Sequence, residues 1–437
     1  MTGTTTRESL HIGLSLAPTW LNGAAWRRED SNVEALFDPA FAIDVAQRAE
    51  AAKLDFVFRP DALFVNTAAL PSGPAFASLD PTLLMAAVAG ATRAIGLLTT
   101  LSTTFWPPYV AARQLMSLDW ISGGRAGWNI VTALDGNANF GLDAMPAAEE
   151  RYARAAEFTD VVRRLWASFP GDAVLADRET GRFADAARVT PIDHAGAHYR
   201  VAGPLNVPRF GAGRIPLVQA GASQAGRDFA AGVADAVFAS SPDIAAAAEL
   251  RTDLRRRAEA QGRRPDDVRV MPGLSLTLAA TRAEARDLFA ETQRGADTRR
   301  AIDAIKAMVG LDVTDWPAGR AVRSADLPDA PATVRSRTHA DLLRRLIERD
   351  APTVAELLVR PEVVGSAHWR IVGTPQDAAA EIAQWAEAGA IDGFVALPGG
   401  STGSMHMVLE EMVPCLADRG LFRTAYGGTT FADHLLG

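Results

Sequence analysis

Short apolar runs rich in β-branched residues alternate along this chain with longer stretches in which apolar positions recur at helical spacing. Eight runs stand out, at 11–16, 55–58, 95–99, 126–131, 215–219, 236–239, 268–278 and 393–397. They are apolar at successive positions, as strands buried on both faces are. Each of the first seven is followed, directly or after an insertion, by a helical stretch such as 41–53, 82–93, 109–120 or 152–166, and the eighth by 405–417. Strand then helix, repeated, predicts a parallel sheet. Eight repeats closing on themselves make an α/β fold of the (β/α)8 TIM barrel type; an open doubly wound sheet gives the same alternation and competes with it. The 437 residues exceed the ~250 of a typical barrel. The excess is assigned to insertions at about 168–214, rich in Gly, Pro and Asp, and about 295–368, which carries Pro317, Pro328, Pro331 and Pro352. Residues 1–437 are read as a single barrel domain.

Composition narrows the function classes. The formal net charge is −8 with no block of like charges, so the basic footprint of a nucleic-acid binder is missing. The one cysteine, Cys415, makes no internal disulfide and no Cys-rich zinc site. His194 and His198 are four apart, but "HAGAHYR" reads as loop rather than a metal-binding helix. No metal is expected. The N-terminal stretch lacks a basic region followed by an apolar core, and no apolar run approaches the ~20 residues of a membrane span. A cytoplasmic protein is expected.

In a barrel, chemistry belongs to the C-terminal strand ends and the loops after them. Asp61 follows the second run in "DFVFRPD", where Pro60 stops the strand; it reads equally as a turn or N-cap aspartate. After the third run, "TTLSTTFWPPY" sets hydroxyls, Thr104 among them, beside Phe105 and Trp106, which can wall off water or simply lead into a helix. In "GRAGWNIVT", Asn129 puts an amide inside a buried strand, where it needs partners at a cost of roughly 1–3 kcal/mol if it has none. Gly124 and Gly127 nearby suggest close approach by a ligand or another backbone. Tyr152 heads a helical stretch and either covers a ligand or packs. "VQAGASQAGRDFA" reads as strand, turn and helix with Ser223 as N-cap, a geometry that receives phosphate. "LPGGSTGS" at 397–404 is the rival phosphate turn. Neither GxSxG nor a GxGxxG after a strand occurs.

Together, "SGGRAGWNIVTA", "RYARAAEF", "GPLNVPR", "QAGASQAGRDFAA" and "VPCLADRGLFRTAYGGTTFADHL" resemble the luciferase-like flavin monooxygenases, specifically the nitrilotriacetate, alkane and dibenzothiophene-sulfone monooxygenase group. The motifs run in order from about residue 10 onward. The resemblance implies a TIM barrel that takes reduced FMN (FMNH2) from a separate NAD(P)H:flavin reductase, reacts it with O2 through a flavin C4a-peroxide, and inserts one oxygen atom into a small organic substrate. It assigns flavin contacts to Asp61, Thr104, Asn129, Tyr152 and Ser223, with the Asn129 amide at the ring or ribityl chain and the glycines admitting the cofactor. It implies a homodimer or homotetramer. The histidine that the family often carries four residues before the "RY" tyrosine is Ala148 here, so no catalytic residue is assigned. A deazaflavin-dependent oxidoreductase on the same barrel and a flavin-binding protein without turnover are the alternatives.

Overall fold

The computed structural model describes residues 9–437 apart from 18–20, 22, 222, 295–297, 332, 333 and 335. Nine parallel strands matter here: β1 (His11–Ser15), β2 (Phe56–Arg59), β3 (Gly96–Ser102), β4 (Ala126–Val131), β5 (Leu217–Ala220), β6 (Ala236–Ala239), β7 (Arg269–Leu278), β8 (Trp369–Gly373) and β9 (Gly393–Pro398). Eight of them pair in the circular order β1-β2-β3-β4-β5-β6-β7-β9 and back to β1, which closes the barrel. Each of these eight coincides with one of the apolar runs. The ninth, β8, has no counterpart among them. It pairs with Leu274–Leu278 on the edge of β7 that β6 leaves after Pro272. Only five residues long, with Arg370 at its second position and an alternating burial pattern, it carries neither the length nor the unbroken apolarity of a barrel strand.

Helices start where the sequence supplies caps. Asp38, Asp80, Asp243 and Thr374 each accept a backbone N–H from the first turn that follows, which satisfies donors a helix start otherwise leaves free. Apolar helix faces then bury the outside of the barrel. Inside, Phe56, Phe58, Leu98, Val218, Met271 and Val395 form one core together with Phe431 and Leu435 of the helix Phe431–Leu436. Phe431 plugs the N-terminal end of the barrel, its ring centroid 5.2 Å from that of Phe56. A Cβ on Gly127 would stand 2.3 Å from this ring, and one on Gly124 would stand 3.0 Å from Thr430. These two glycines therefore make room for the protein's own C-terminal segment, which corrects the expectation that they admit a ligand.

The same end carries a ring of carboxylates that take up strand N–H groups. Asp55 accepts from Ile12 at 2.7 Å, Asp235 from Leu217 at 2.9 Å and Asp392 from Val270 at 2.8 Å. Each aspartate immediately precedes one strand and reaches the first residues of its neighbour.

Two insertions depart from the barrel. Residues 168–214 hold two short antiparallel ladders, Val174–Asp177 with Arg182–Ala184 and His194–Ala195 with Arg200–Val201. Between β7 and β8, the helices Thr298–Val309 and Arg337–Asp350 enclose a separate apolar cluster that includes Ile305, Leu343 and Ile347. Among the described residues no helix is long and apolar enough to cross a membrane.

Candidate active site

Side chains alternate along a strand, and Gly127 faces the barrel interior, so Asn129 two residues on faces it as well, nearer the C-terminal mouth. Thr100 donates its one hydroxyl proton to the Arg59 carbonyl at 2.7 Å. It can then only accept from Asn129, whose Nδ2 lies 3.0 Å away. That fixes the amide: Oδ1 is left buried, without a partner among the described residues. Further round the mouth the same condition recurs. The Thr104 hydroxyl and the Trp106 indole N–H in the loop after β3, the Gln219 amide in β5, the Ser241 hydroxyl after β6 and His368 Nδ1 just before β8 are all buried and without a partner among the described residues.

His368 is the residue that sequence reasoning missed. Its ring lies 5.2 Å from Phe238, which is 5.6 Å from Phe58. A Cβ on Gly273 would come within 2.5 Å of Nδ1, so the imidazole occupies space that only glycine leaves. Burial lowers its pKa to about 4. The ring is thus neutral, donates to the Ala239 carbonyl and leaves Nδ1 as a bare acceptor. Gln219 was missed as well; it stands within "VQAGASQAGRDFA", where an amide in a buried strand is the signal that singles it out.

Asp61 lies just past the end of β2 and caps no described helix; Asp80 does that for Pro81–Ala91. Burial raises its pKa to about 6, and the like charge of Asp80 adds to the shift. Phe105 stacks on Phe140 with centroids 4.3 Å apart, and Asn139 donates to the Leu63 carbonyl at 2.8 Å, so the loops after β2, β3 and β4 are knitted together over one side of the mouth.

Tyr152 and Ser223 come together at the turn after β5. A Cβ on Gly221 would lie 2.7 Å from Gln219 Nε2 and 2.8 Å from the Tyr152 hydroxyl, and one on Gly226 would lie 2.7 Å from that same hydroxyl. Ser223 caps Gln224–Val233 by accepting from Gly226 N at 3.2 Å. In the rival turn the polar groups are committed to the protein. Ser404 accepts from Leu278 N at 2.8 Å, Thr402 donates to the Asp30 carbonyl at 2.6 Å, and a Cβ on Gly400 would meet Leu288 and Thr277 at 2.9 Å.

The family model for luciferase-like monooxygenases matches residues 20–391. The chain belongs to that family. This luciferase-like monooxygenase is 34% identical to N-acetyl-S-(2-succino)cysteine monooxygenase of Bacillus subtilis (strain 168), over 99% of this chain and 97% of that protein. It is 33% identical to nitrilotriacetate monooxygenase component A of Aminobacter aminovorans, over 98% and 96% of the two chains. Among solved structures, a riboflavin lyase with modified FMN and riboflavin superposes with a TM-score of 0.85 at 31% identity, covering 98% of this chain and 96% of that one.

Proposed function

We propose that this monooxygenase is the oxygenase half of a two-component system, taking FMNH2 from a separate NAD(P)H:flavin reductase and inserting one atom of O2 into a small organic substrate. The observation that carries the reading is the set of buried, unpartnered polar atoms around the mouth. Each such atom costs roughly 1–3 kcal/mol when left unpaired, so several gathered at the C-terminal mouth of one barrel fit a ligand with a polar edge and an apolar plane. An isoalloxazine has both. The riboflavin lyase with its modified FMN and the designation of one relative as a "component A" support the cofactor and the second component.

Bound reduced flavin supplies the electrons that activate O2. The chain's own groups hold and shelter it. Asn129 Oδ1 and His368 Nδ1 offer acceptors to ring N–H groups, while Thr104 and Asp61 lie where the ring edge or ribityl hydroxyls come within reach. Phe58 and Phe238 give an apolar floor. Phe105 and Trp106 keep out water, which otherwise diverts oxygen to hydrogen peroxide. The phosphate is assigned to the Ser223 turn, where the free N–H groups of a helix start attract an anion and Tyr152 adds a hydroxyl.

Oxygen uptake with FMNH2 and a panel of candidate substrates tests the reading: O2 is expected to disappear in step with oxygenated product. Anaerobic turnover, or hydrogen peroxide as the sole product with every substrate, overturns it. Ser223→Ala is expected to loosen FMN about tenfold, a loss of ~1.4 kcal/mol, while barely changing riboflavin affinity; an equal loss for both moves the phosphate to 397–404.

A further inference from the structure

At the N-terminal end of the barrel, away from the mouth, a cavity of about 230 Å3 opens between the helices Pro108–Ser122 and Ala148–Ala167 and the loop leading into β5. Its walls are apolar: Met116, Trp166, Phe210 and Ile215. Its polar lining is dominated by three arginines, Arg163, Arg209 and Arg214, with Asp119.

Charge is unbalanced there. Arg214 pairs with Asp235 at 2.7 Å, and Arg263 stands 3.9 Å from the same carboxylate, which is also committed to Leu217 N. Arg163 donates to the Val233 carbonyl at 2.8 Å, and Arg209 to the Gly213 carbonyl at 2.6 Å. These acceptors are neutral. Among the described residues neither guanidinium has a carboxylate within ion-pair distance. Asp119 is buried and accepts from Ala126 N at 3.3 Å; burial lifts its pKa to about 7, so it supplies only part of a negative charge. Burial lowers the pKa of Arg163, and the repulsion of Arg263 and Arg214 adds to this against the opposing attraction of Asp235 and Asp160. Arg163 and Arg209 thus meet at one apolar cavity with carboxylates near but none in ion-pair contact, which leaves their inner faces open to an anion from outside.

We infer that this cavity is a second ligand site, specific for a small aromatic carboxylate, with the ring against Trp166, Phe210 and Met116 and the carboxylate on Arg163 and Arg209. Size and chemistry both select the ligand. An apolar cavity of about 150 Å3 already takes a benzene ring, so there is room for a ring and a carboxylate but not for a nucleotide. A bare oxyanion would leave the aromatic wall wet, and a neutral ring would leave the guanidiniums unanswered; the planar fork of arginine matches a carboxylate with two parallel hydrogen bonds.

Benzoate is the probe, titrated calorimetrically into the full chain both free of flavin and saturated with FMN, beside benzamide and inorganic phosphate. One saturable benzoate site is expected in both forms, with affinity at least tenfold above that for benzamide and phosphate. Arg163→Gln, an exposed helical position, and Arg209→Gln are each expected to weaken benzoate tenfold or more, with folding checked by circular dichroism. The inference is overturned by absence of saturable binding, by affinity unchanged in both variants, by phosphate binding as tightly as benzoate, or by displacement with FMN, which would put benzoate at the mouth. Because the flavin-free form is one arm, the outcome is independent of the proposed cofactor.

Discussion

At the scale of single residues, Asp61 is where the mouth stores an electrostatic cost. Its folded pKa of about 6 lies above the ordinary 3.8, so folding favours the protonated form. The stability linked to that proton is complete below about pH 4 and is lost as pH rises through 6. Asp61→Asn keeps the shape and removes the charge. The flavin-free protein is expected to gain on the order of 1 kcal/mol at pH 8, after allowing for partial solvent screening, and nothing at pH 4; urea unfolding at the two pH values reads this. Asn129→Ala removes the free Oδ1 and is expected to raise the Kd for FMN by about 5- to 30-fold, the equivalent of 1–2 kcal/mol, measured by flavin fluorescence. An unchanged Kd would return Asn129 to a structural role with Thr100. Asn129 was legible because an amide inside an apolar run must meet something polar. His368 was not, because its importance depends on Gly273 leaving room on the neighbouring strand, a relation between positions far apart in sequence that no local pattern carries.

At the scale of elements, the barrel strands were legible because burial on both faces makes them mostly apolar, whereas β8 rests on one edge of β7 and looks like any half-exposed segment. The glycines of β4 show where local reading goes astray. Glycine signals a close approach without saying by what, and here the visitor is Phe431. Gly127→Ala is therefore expected to cost about 1–3 kcal/mol by overpacking while FMN affinity stays as it was; loss of FMN binding without loss of stability would reverse that assignment. The aspartates before β2, β6 and β9 had a visible signal, a charge directly ahead of an apolar run in "LDFVF", "ADAVFA" and "IDGFVA". Asp392 holds Val270 N and pairs with Arg251 at 2.7 Å and Arg255 at 3.2 Å. Asp392→Ala strands both guanidiniums and is expected to destabilise by about 3 kcal/mol, read as a lower urea midpoint.

At the scale of the whole molecule, the insertion between β7 and β8 is a small body with its own core. His339 Nε2 lies 3.4 Å from Ser240 Oγ beside the mouth, and Arg345–Glu249 and Arg349–Asp243 are solvent-exposed pairs, each worth at most about 1 kcal/mol. We propose that this body closes over the bound flavin and substrate. Proteolytic cleavage within 298–364 is then expected to slow severalfold when both are present; equal rates with and without them would leave the body a fixed ornament. The plug at the other end bears on biosynthesis. β1 pairs early with β2 but finds its second neighbour only in β9, and the base of the lumen is stoppered by Phe431, so the strand emerges from the ribosome long before β9 and the plug exist. Such a chain must wait, with one unpaired edge and an open end, until β9 and Phe431 have been translated, a long-range closure that slows folding.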